Sequence, residues 1–563
     1  MKLHRTKCAA LIRKAVAPSL KEELREDFSG QKFSVLIDES TDISLQKLMC
    51  VVVVYVGKNG KVKFAYLGLI PVVAADAATL FAALEEELRS YGQTLENCVG
   101  FSSDGASVMV GNNNSVWTRI KEKSPQCVQL KCICHSLALS IQHAFCKLPS
   151  NVAFLIKEIP GWFSNSPLRR DNFCTLFNVM NSDSGLESGE SHPTPFTKTS
   201  ATRWLVRGKV LYNILTNWHE LMAYFSVVEA STKGQPDVKF KARLLKEMLQ
   251  DKANLLYLHF ATPLVQEFER VNALFQSTHQ DPHNLCQELD MLHRSLVGRL
   301  HDSNGVKKAM DDVDFGCKFL EQCEQHSAEA IDDAAGSTKI SHIKQRCYEM
   351  LEEAIVQVKK RLPYSMDMFR NLSLLHPKKV LTQMDRPAFK DLPFQHFLND
   401  QKSAAEEQYR RLIFVDWAKE KPFAETGLPN DSVAFWEGVR QHNGFQTIAD
   451  YALTCLLVPT SNAVIERIFS IVTATKTKPR NKLGVTSLDS LVRIKAHLQL
   501  ASKCCRDFVV TPAMIALHSS WNLYGAPLRS KPIATSLPPT CEPTHGEQEQ
   551  EKEADEAVLQ YLL

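Results

Sequence analysis

The segment "FSVLIDESTDIS", residues 33–44, decides the fold of this chain. An apolar stretch that is typical of a buried strand runs into three carboxylates, Asp38, Glu39 and Asp42. Strand ends carry functional side chains well, because the sheet fixes the backbone while the tip stays open. The same residue types also form solvated turns. The segment therefore leaves two interpretations: carboxylates placed for chemistry, or a polar turn after a core strand.

The residues that follow indicate four more strands and three helices. After the third strand, Asp76 is placed to cap a helix whose Leu80, Leu84 and Leu88 fall on one face. The predicted order is three strands, helix, strand, helix, strand, helix, and the first and fourth strands are expected to be neighbours. The strands after 33–38, rich in β-branched and aromatic residues, are predicted at 48–56, 64–72, 97–105 and 128–132.

Asp38 ends the first predicted strand and Asp104 ends the fourth. If these strands are neighbours, the two carboxylates converge at one edge of the sheet. A third carboxylate would complete a site for two divalent cations, which lie about 3.5–4 Å apart in phosphoryl-transfer enzymes. Mg²⁺ prefers carboxylate oxygen, so aspartate and glutamate are the residue types that such a site needs.

Composition indicates a globular protein without a broad basic surface. The net charge is +3, and 44% of the residues are hydrophobic. Any binding of nucleic acid must therefore come from local patches. The 16 scattered cysteines and an N-terminal stretch without a long apolar run indicate reduced thiols in the nucleus or cytoplasm and no secretory signal. The most apolar run, 48–56, is far shorter than the roughly 20 residues of a membrane helix, so no membrane partner is expected.

The second half of the chain is predominantly helical. Stripes such as Leu264, Phe268, Val271 and Phe275 are typical of helix cores. Near the end, two helices over 461–475 and 487–500 flank a basic connector, and Thr486 and Asp489 predict a capping box for the second.

Five motifs occur in the order seen in hAT-superfamily transposases, and the chain resembles their domesticated vertebrate relatives grouped with BED-finger proteins. The resemblance covers most of residues 30–500. Its motifs are "IDESTD" (37–42), "SSDGASVMVG" (102–111), "CICHSLAL" (132–139), "ATRWLV" (201–206) and "VPTSNAVIERIFS" (458–470).

This resemblance implies an α/β plus all-α fold. An RNase H-like catalytic core would be interrupted by a large helical insertion domain and followed by C-terminal dimerisation helices. The implied domains are a helical segment at 1–30, the first part of the core at 31–180, the insertion at 200–443, the dimerisation region that completes the core at 444–525, and a disordered acidic tail at 526–563.

The resemblance further implies a catalytic and metal-binding triad of Asp38, Asp104 and Glu466. Without the motif, Glu466 would be interpreted as an ordinary exposed helix glutamate. The cofactor would be Mg²⁺ or Mn²⁺, needed only if the protein is catalytically active. No small-molecule cofactor is expected.

Candidate DNA-binding residues are implied in three places: His135 in the third motif, the Arg203–Trp204 pair, and Lys476, Lys478 and Arg480 of the connector. Trp204 could stack on an extruded base or pack in a core. The connector could contact phosphates or be merely solvated. Cys127, Cys132, Cys134 and His135 could also be considered as a zinc cluster, but no second ligand pair is evident and no structural zinc is expected.

The final block resembles the region through which hAT proteins dimerise, so a homodimer or higher oligomer is expected, with DNA as a second partner. The candidate interface residues are Ile465, Ile468, Phe469, Leu488 and Leu491.

Two functions remain open from the sequence. One is a hAT-type transposase, or its remnant, acting on DNA phosphodiesters with divalent metal. The other is a domesticated, non-catalytic protein that dimerises on chromatin in the nucleus. Family members usually carry a BED zinc finger before the core, whereas only His4 and Cys8 precede residue 30 here as metal-ligand types, and this favours the second function.

Overall fold

The computed structural model of this chain describes residues 4–181, 193, 196, 207–232, 235–277, 281–329 and 333–524. The chain divides into two compact units. Unit 1 comprises Met1–Cys132, Asp281–His283 and Phe369–Leu563, and unit 2 comprises Ile133–Gln280 and Asn284–Met368. Each is described by itself below.

Unit 1 is built on a five-stranded mixed sheet whose strand order is β3-β2-β1-β4-β5. β2 pairs antiparallel with β1 and with β3, whereas β4 is parallel to both β1 and β5. All five predicted strands and the pairing of the first with the fourth are confirmed. The strands are β1 (Phe33–Thr41), β2 (Lys47–Val56), β3 (Val62–Pro71), β4 (Cys98–Ser103) and β5 (Val128–Lys131).

One face of the sheet is covered by helices from the first part of the chain. Asp76 caps the helix after β3 as predicted, since its Oδ1 accepts hydrogen bonds from the amides of Ala78 and Thr79 at 3.0 Å. Leu80 and Leu84 of that helix pack with Val35 and Val51 in one buried cluster. The helices of this part are α1 (Arg5–Leu11), α2 (Ala17–Phe28), α3 (Ala77–Ser90), α4 (Ser107–Val110) and α5 (Val116–Lys123).

Unit 2 consists of helices joined by loops, and its described residues also include an isolated β-bridge between His301 and Lys307. The predicted stripe of Leu264, Phe268, Val271 and Phe275 is fully buried on α12. The helices are α6 (Ile133–Phe145), α7 (Ser150–Ser164), α8 (Pro167–Asn181), α9 (Arg207–Thr216), α10 (Trp218–Ala230), α11 (Pro236–Gln250), α12 (Lys252–Phe275), α13 (Pro282–Leu300), α14 (Cys317–Glu329) and α15 (Asp333–Arg361).

The boundaries of unit 2 differ from the predicted domain limits at 180 and 443. The first segment of unit 1 ends at Cys132, directly after β5, and unit 2 begins with α6 at Ile133. It returns at Phe369, within α16 (Pro363–Leu372). Much of the predicted insertion therefore belongs to the unit that contains the sheet.

The C-terminal part of unit 1 covers the other face of the sheet, where α22 packs against β1 and β2 and α23 packs against β3. Its helices are α17 (Pro377–Val380), α18 (Lys402–Leu412), α19 (Phe423–Thr426), α20 (Ser432–Val439), α21 (Gln446–Leu456), α22 (Ala463–Thr475), α23 (Val485–Leu500), α24 (Pro512–Leu517) and α25 (Ser520–Tyr524).

The predicted capping box at Thr486 and Asp489 is wrong. Helix α23 begins at Val485, and its N-cap residue, Gly484, makes no side-chain capping bond. Asp489 instead reaches the sheet, where its Oδ1 accepts hydrogen bonds from the Tyr66 hydroxyl at 2.6 Å and from the Leu69 amide at 3.1 Å. A local motif in the sequence was thus overridden by a partner 423 residues away.

Arg493 attaches α23 to the sheet. The buried guanidinium donates to the carbonyl of Leu67 at 2.6 Å, to the hydroxyl of Tyr91 at 2.7 Å and to Asp489 at 3.2 Å. Burial opposes its charge, but Tyr91 and Asp489 outweigh that effect and raise the pKa of Arg493. The arginine therefore remains charged and joins three elements.

We expect Arg493→Met to lower the free energy of unfolding by about 3–5 kcal/mol, because it takes the cation away from Asp489 and from the buried groups around Tyr91. Urea denaturation monitored by circular dichroism measures this. The matched control is Arg506→Met, at an exposed arginine near the C-terminal end of the same unit, which should change stability by less than about 0.5 kcal/mol. Equal effects of the two substitutions would contradict the role given to Arg493.

Candidate active site

Asp38 lies within β1, and Asp104 directly follows β4, the parallel strand beside it. Leu36 of β1 pairs with Ser102 of β4, and each aspartate lies two residues further on. Side chains alternate between the faces of a sheet, so both aspartates belong to the same face as that pair. Both are partly buried. The structure thus brings the first two predicted triad residues to one edge.

Glu466 lies on the first turn of α22, and the start of this helix is joined to β1. The Nδ2 of Asn462 donates to the carbonyl of Ile37, the residue before Asp38, at 3.4 Å. The carbonyl of Asn462 accepts from the amide of Glu466 at 3.3 Å. Through these two hydrogen bonds Asn462, which is 3% exposed, links the backbone next to Asp38 to that of Glu466. The sequence analysis missed it, although it stands inside the motif that carries Glu466.

The end of α22 is joined to β1 by an ion pair. The Nζ of Lys476 lies 2.7 Å from the Oδ2 of Asp42, and the two side chains are 4% and 3% exposed. The other carboxylate oxygen of Asp42 accepts from the amides of Ser44 and Gln46. Burial would raise the pKa of Asp42, but hydrogen bonds from Lys476, from the Gln46 amide and from the Ser44 hydroxyl lower it. Asp42 is therefore an ionised structural residue.

Helix α22 consequently runs alongside β1. From Asn462 to Lys476 a helix rises about 21 Å, and from Ile37 to Asp42 a strand rises about 17 Å. These lengths are similar, so the two contacts hold the helix along the strand. Glu466 lies one helical turn after Asn462, and Asp38 lies one residue after Ile37. Both carboxylates therefore lie just beyond the contact between Asn462 and Ile37.

The three carboxylates interact electrostatically. Burial, followed by the negative charge of Asp104, raises the pKa of Asp38 to about 7, and Glu466 and Glu39 add to the effect. The hydrogen bond from the Glu39 amide to Asp38, 2.8 Å long, opposes it. The structure therefore brings Asp38, Asp104 and Glu466 within electrostatic reach of one another.

The carboxylate oxygens fit a hard divalent cation by donor type. Negative charges that converge on a partly buried aspartate are relieved when a cation binds. Within the described ranges, however, no group of three or more histidine, cysteine, aspartate or glutamate side chains is arranged to hold a metal ion. The donors are gathered, but they do not form a preset ligand cage.

Two of the predicted phosphate contacts in the connector are buried. Lys476 is occupied by Asp42, and Arg480 is only 4% exposed. Neither cation is on the surface of the described structure, so their contact with DNA stays a prediction that this arrangement does not favour. Lys478 is exposed and remains a candidate.

The remaining predicted DNA contacts are divided between described and undescribed parts of the chain. His135 is exposed on the first turn of α6. Arg203 and Trp204 lie outside the described residues. Of the cysteines considered for zinc, Cys127 has its sulfur 3.8 Å from that of Cys98, and both are buried.

Most of the predicted dimerisation residues belong to the interior of unit 1. Ile465, Ile468, Leu488 and Leu491 are all at most 7% exposed in the single chain. Their side chains are buried within the single chain, so their role in dimerisation stays a prediction that this arrangement does not favour. Phe469 is half-buried.

Comparison with known proteins supports the first part of this site. Residues 2–115 match the family model DUF4371, described as "ZMYM1/FAM200, RNase-like domain". The matched segment includes Asp38 and Asp104 and ends well before Glu466. The five-stranded mixed sheet and this match together indicate an RNase-like domain.

Three curated proteins are similar to part of this chain. General transcription factor II-I repeat domain-containing protein 2 of Mus musculus is 24% identical over 40% of this chain, and its Bos taurus counterpart is 24% identical over 39%. The human 52 kDa repressor of the inhibitor of the protein kinase is 25% identical over 30%. The matches cover 23%, 22% and 23% of the respective relatives, so the chain spans less than a quarter of their length.

Together with the motifs, these matches support a transposase-derived protein. Of the helices in the described ranges, none has both the length and the apolarity needed to cross a bilayer.

We expect Asp38→Asn to stabilise the protein above neutral pH. The folded-state pKa of Asp38 is about 7, against an ordinary value of 3.8, so the wild type loses stability as pH rises from about 4 to 7. The substitution removes this loss, and the gain at pH 8 should be on the order of 2 kcal/mol, allowing for partial exposure, and near zero at pH 4.

Urea denaturation at pH 4, 6 and 8 measures this difference. Glu122→Gln, at an exposed helix position, is the matched loss of one negative charge and should show no such trend. A constant difference between Asp38→Asn and wild type across the three pH values would contradict the electrostatic convergence.

Proposed function

We propose that this protein derives from a hAT-type transposase and that Asp38, Asp104 and Glu466 act on DNA phosphodiesters with a divalent metal. The observation that carries this proposal is the hydrogen bond from Asn462, at the start of the helix that carries Glu466, to the carbonyl of Ile37, the residue before Asp38. Glu466 is separated from the other two by the whole of unit 2, so its approach to Asp38 is not a consequence of local sequence.

The three carboxylates would hold Mg²⁺ or Mn²⁺, which when bound stabilises the charge that develops on the phosphate oxygens. Asp38 has a pKa of about 7 and carries its proton for part of the time at neutral pH. Asp38 would release that proton from its carboxyl on ligating the cation. Asn462 and the Lys476–Asp42 pair would keep Glu466 beside β1 while the site fills.

We expect Mn²⁺ to raise the melting temperature of the wild type, because a ligand that binds only the folded state stabilises it. Asp104→Asn should gain much less from Mn²⁺, since it removes a ligand. Without metal, the same variant should be as stable as wild type or slightly more so, because one repelling charge is gone. Thermal shift measurements with and without Mn²⁺ test this.

Glu39→Gln is the matched control. It removes one negative charge beside Asp38, but its side chain belongs to the opposite face of β1, so it should retain the Mn²⁺ shift. The same proteins are then incubated with supercoiled DNA in Mn²⁺. Nicking by wild type and Glu39→Gln, but not by Asp104→Asn, is the expected result. Equal Mn²⁺ shifts in all three, with no nicking, would refute the catalytic proposal.

A second candidate is a non-catalytic, chromatin-associated binding protein in the nucleus. The burial of Lys476 and Arg480 favours it, because two cations expected to contact phosphate are engaged in the fold. The names of the curated relatives also favour it, since one contains a repeat domain named after a general transcription factor and another is called a repressor. The nicking experiment separates the two candidates, since only the first requires the carboxylates.

We also propose that the chain self-associates through the region after residue 444, as the resemblance implies. Since the predicted residues of α22 and α23 are mostly buried, the contact would use the apolar side chains exposed beyond α23. These are Val509, Val510, Ile515, Trp521 and Tyr524, of which Trp521 is 68% exposed.

We expect the wild type to be at least dimeric at micromolar concentration and Trp521→Asp to shift it toward monomer. Because Trp521 is exposed, its replacement should change folding stability by less than about 0.5 kcal/mol. Size-exclusion chromatography with light scattering measures the mass. Val73→Asp, at an exposed apolar residue after β3, is the control. A wild-type monomer would refute self-association.

A further inference from the structure

The parallel course of α22 and β1 leaves a cavity of about 340 Å³ between them. Its walls include Phe469 and Val472 from the helix and Leu48 from β2, and Ser40 and Thr41 of β1 contribute hydroxyl groups. The cavity therefore combines an aromatic ring, aliphatic side chains and hydrogen-bonding groups.

This cavity adjoins the candidate active site. Ser40 follows Asp38 by two residues and so belongs to the same face of β1. Phe469 follows Glu466 by one helical turn, a rise of about 4.5 Å. Successive nucleotides of a DNA strand rise about 3.4 Å, so a base attached next to a phosphate at the carboxylates is at a suitable distance.

The electrostatics of the cavity select against a charged ligand. Its lining contains one carboxylate, Asp42, and one ammonium group, Lys476, and the two form the ion pair described above. Since each neutralises the other, the lining offers no spare cation to a phosphate. A neutral, flat ligand with polar edges suits an aromatic wall with hydroxyl groups nearby.

We propose that this cavity binds a single unstacked base of a DNA strand whose neighbouring phosphate lies at Asp38, Asp104 and Glu466. The inference rests on the proposed function and names a substrate contact for the same site. Phe469 provides the stacking surface, and Ser40, on the face of β1 that carries Asp38, contacts the polar edge of the base. A base inside a duplex must first leave its stack, so the preferred substrate is single-stranded or distorted DNA.

Fluorescence anisotropy with two ten-nucleotide probes tests the proposal at one fixed salt concentration, in Ca²⁺ without Mg²⁺ or Mn²⁺. One probe is oligothymidylate, and the other is a strand of the same length in which every nucleotide is abasic. Stacking of one base on an aromatic side chain corresponds to about a 5- to 150-fold change in affinity. The wild type should prefer the oligothymidylate by at least this factor.

Phe469→Ala should reduce that preference by about 5-fold or more while binding the abasic strand as the wild type does. The matched control is Phe64→Ala, which removes a partly exposed phenyl ring of β3 outside this cavity and should keep the preference. Thr473→Trp provides a second variant that fills the cavity from an exposed helix position, without removing packed atoms, and should also reduce the preference.

A preference retained by both cavity variants would overturn the proposal. Equal weakening of both probes would overturn it as well, because the cavity would then affect binding without contacting a base. A wild type without preference would assign the cavity to another occupant, such as an apolar side chain of a protein partner. Nicking of DNA by wild type together with any of these results leaves the proposed function standing. A wild type that neither binds nor nicks DNA overturns both.

Discussion

The buried ion pair between Lys476 and Asp42 is the constraint on which the candidate site depends, because it joins the end of α22 to the end of β1 across 434 residues of sequence. Removing two charges from water is costly unless each finds its partner, so such a pair tolerates few alternative arrangements. With Asn462 at the other end of the helix, it leaves α22 little freedom except to lie along β1. Glu466 is therefore delivered to Asp38 by contacts that are not themselves catalytic.

The consequence is an electrostatic conflict at the sheet edge. Asp38 is surrounded by carboxylates, and its pKa is raised to about 7. Elsewhere in the described part of unit 1, the buried Arg493 is paired with Asp489. Functional sites often keep the perturbed groups that the rest of a fold avoids. Asp42 is paired with a cation, whereas Asp38, four residues earlier in the sequence, lies among negative charges that no cation neutralises. This contrast favours a positively charged ligand at Asp38.

The same helix explains why several residues have roles other than those predicted. Lys476 and Arg480 look like phosphate contacts in a basic connector, and Ile465 and Ile468 look like an apolar interface. In the fold, the apolar side of α22 packs against the sheet, and Lys476 at the end of this helix forms an ion pair with Asp42. Phe469 is left half-buried at a cavity beside the carboxylates, where an aromatic ring can contact a ligand.

Much of the sheet could be predicted from the sequence, because strand and cap signals are local. The β-branched content of 33–72 and the cap at Asp76 determine their own elements, and the approach of Asp38 to Asp104 follows from the strand order. The prediction that Asp38 ends its strand is wrong, because β1 continues to Thr41. Glu466 could be selected only through its motif, since nothing local distinguishes it from other helix glutamates. Three contacts were decided only by the tertiary structure. Asp489 accepts a hydrogen bond from Tyr66 and does not form a capping box, Asp42 pairs with Lys476, and Asn462 donates to the Ile37 carbonyl. Each of these contacts joins residues more than 400 positions apart in the chain. The free energy of burying a polar group depends on the partner that it meets in the fold, and the residues next to it in the sequence do not specify that partner.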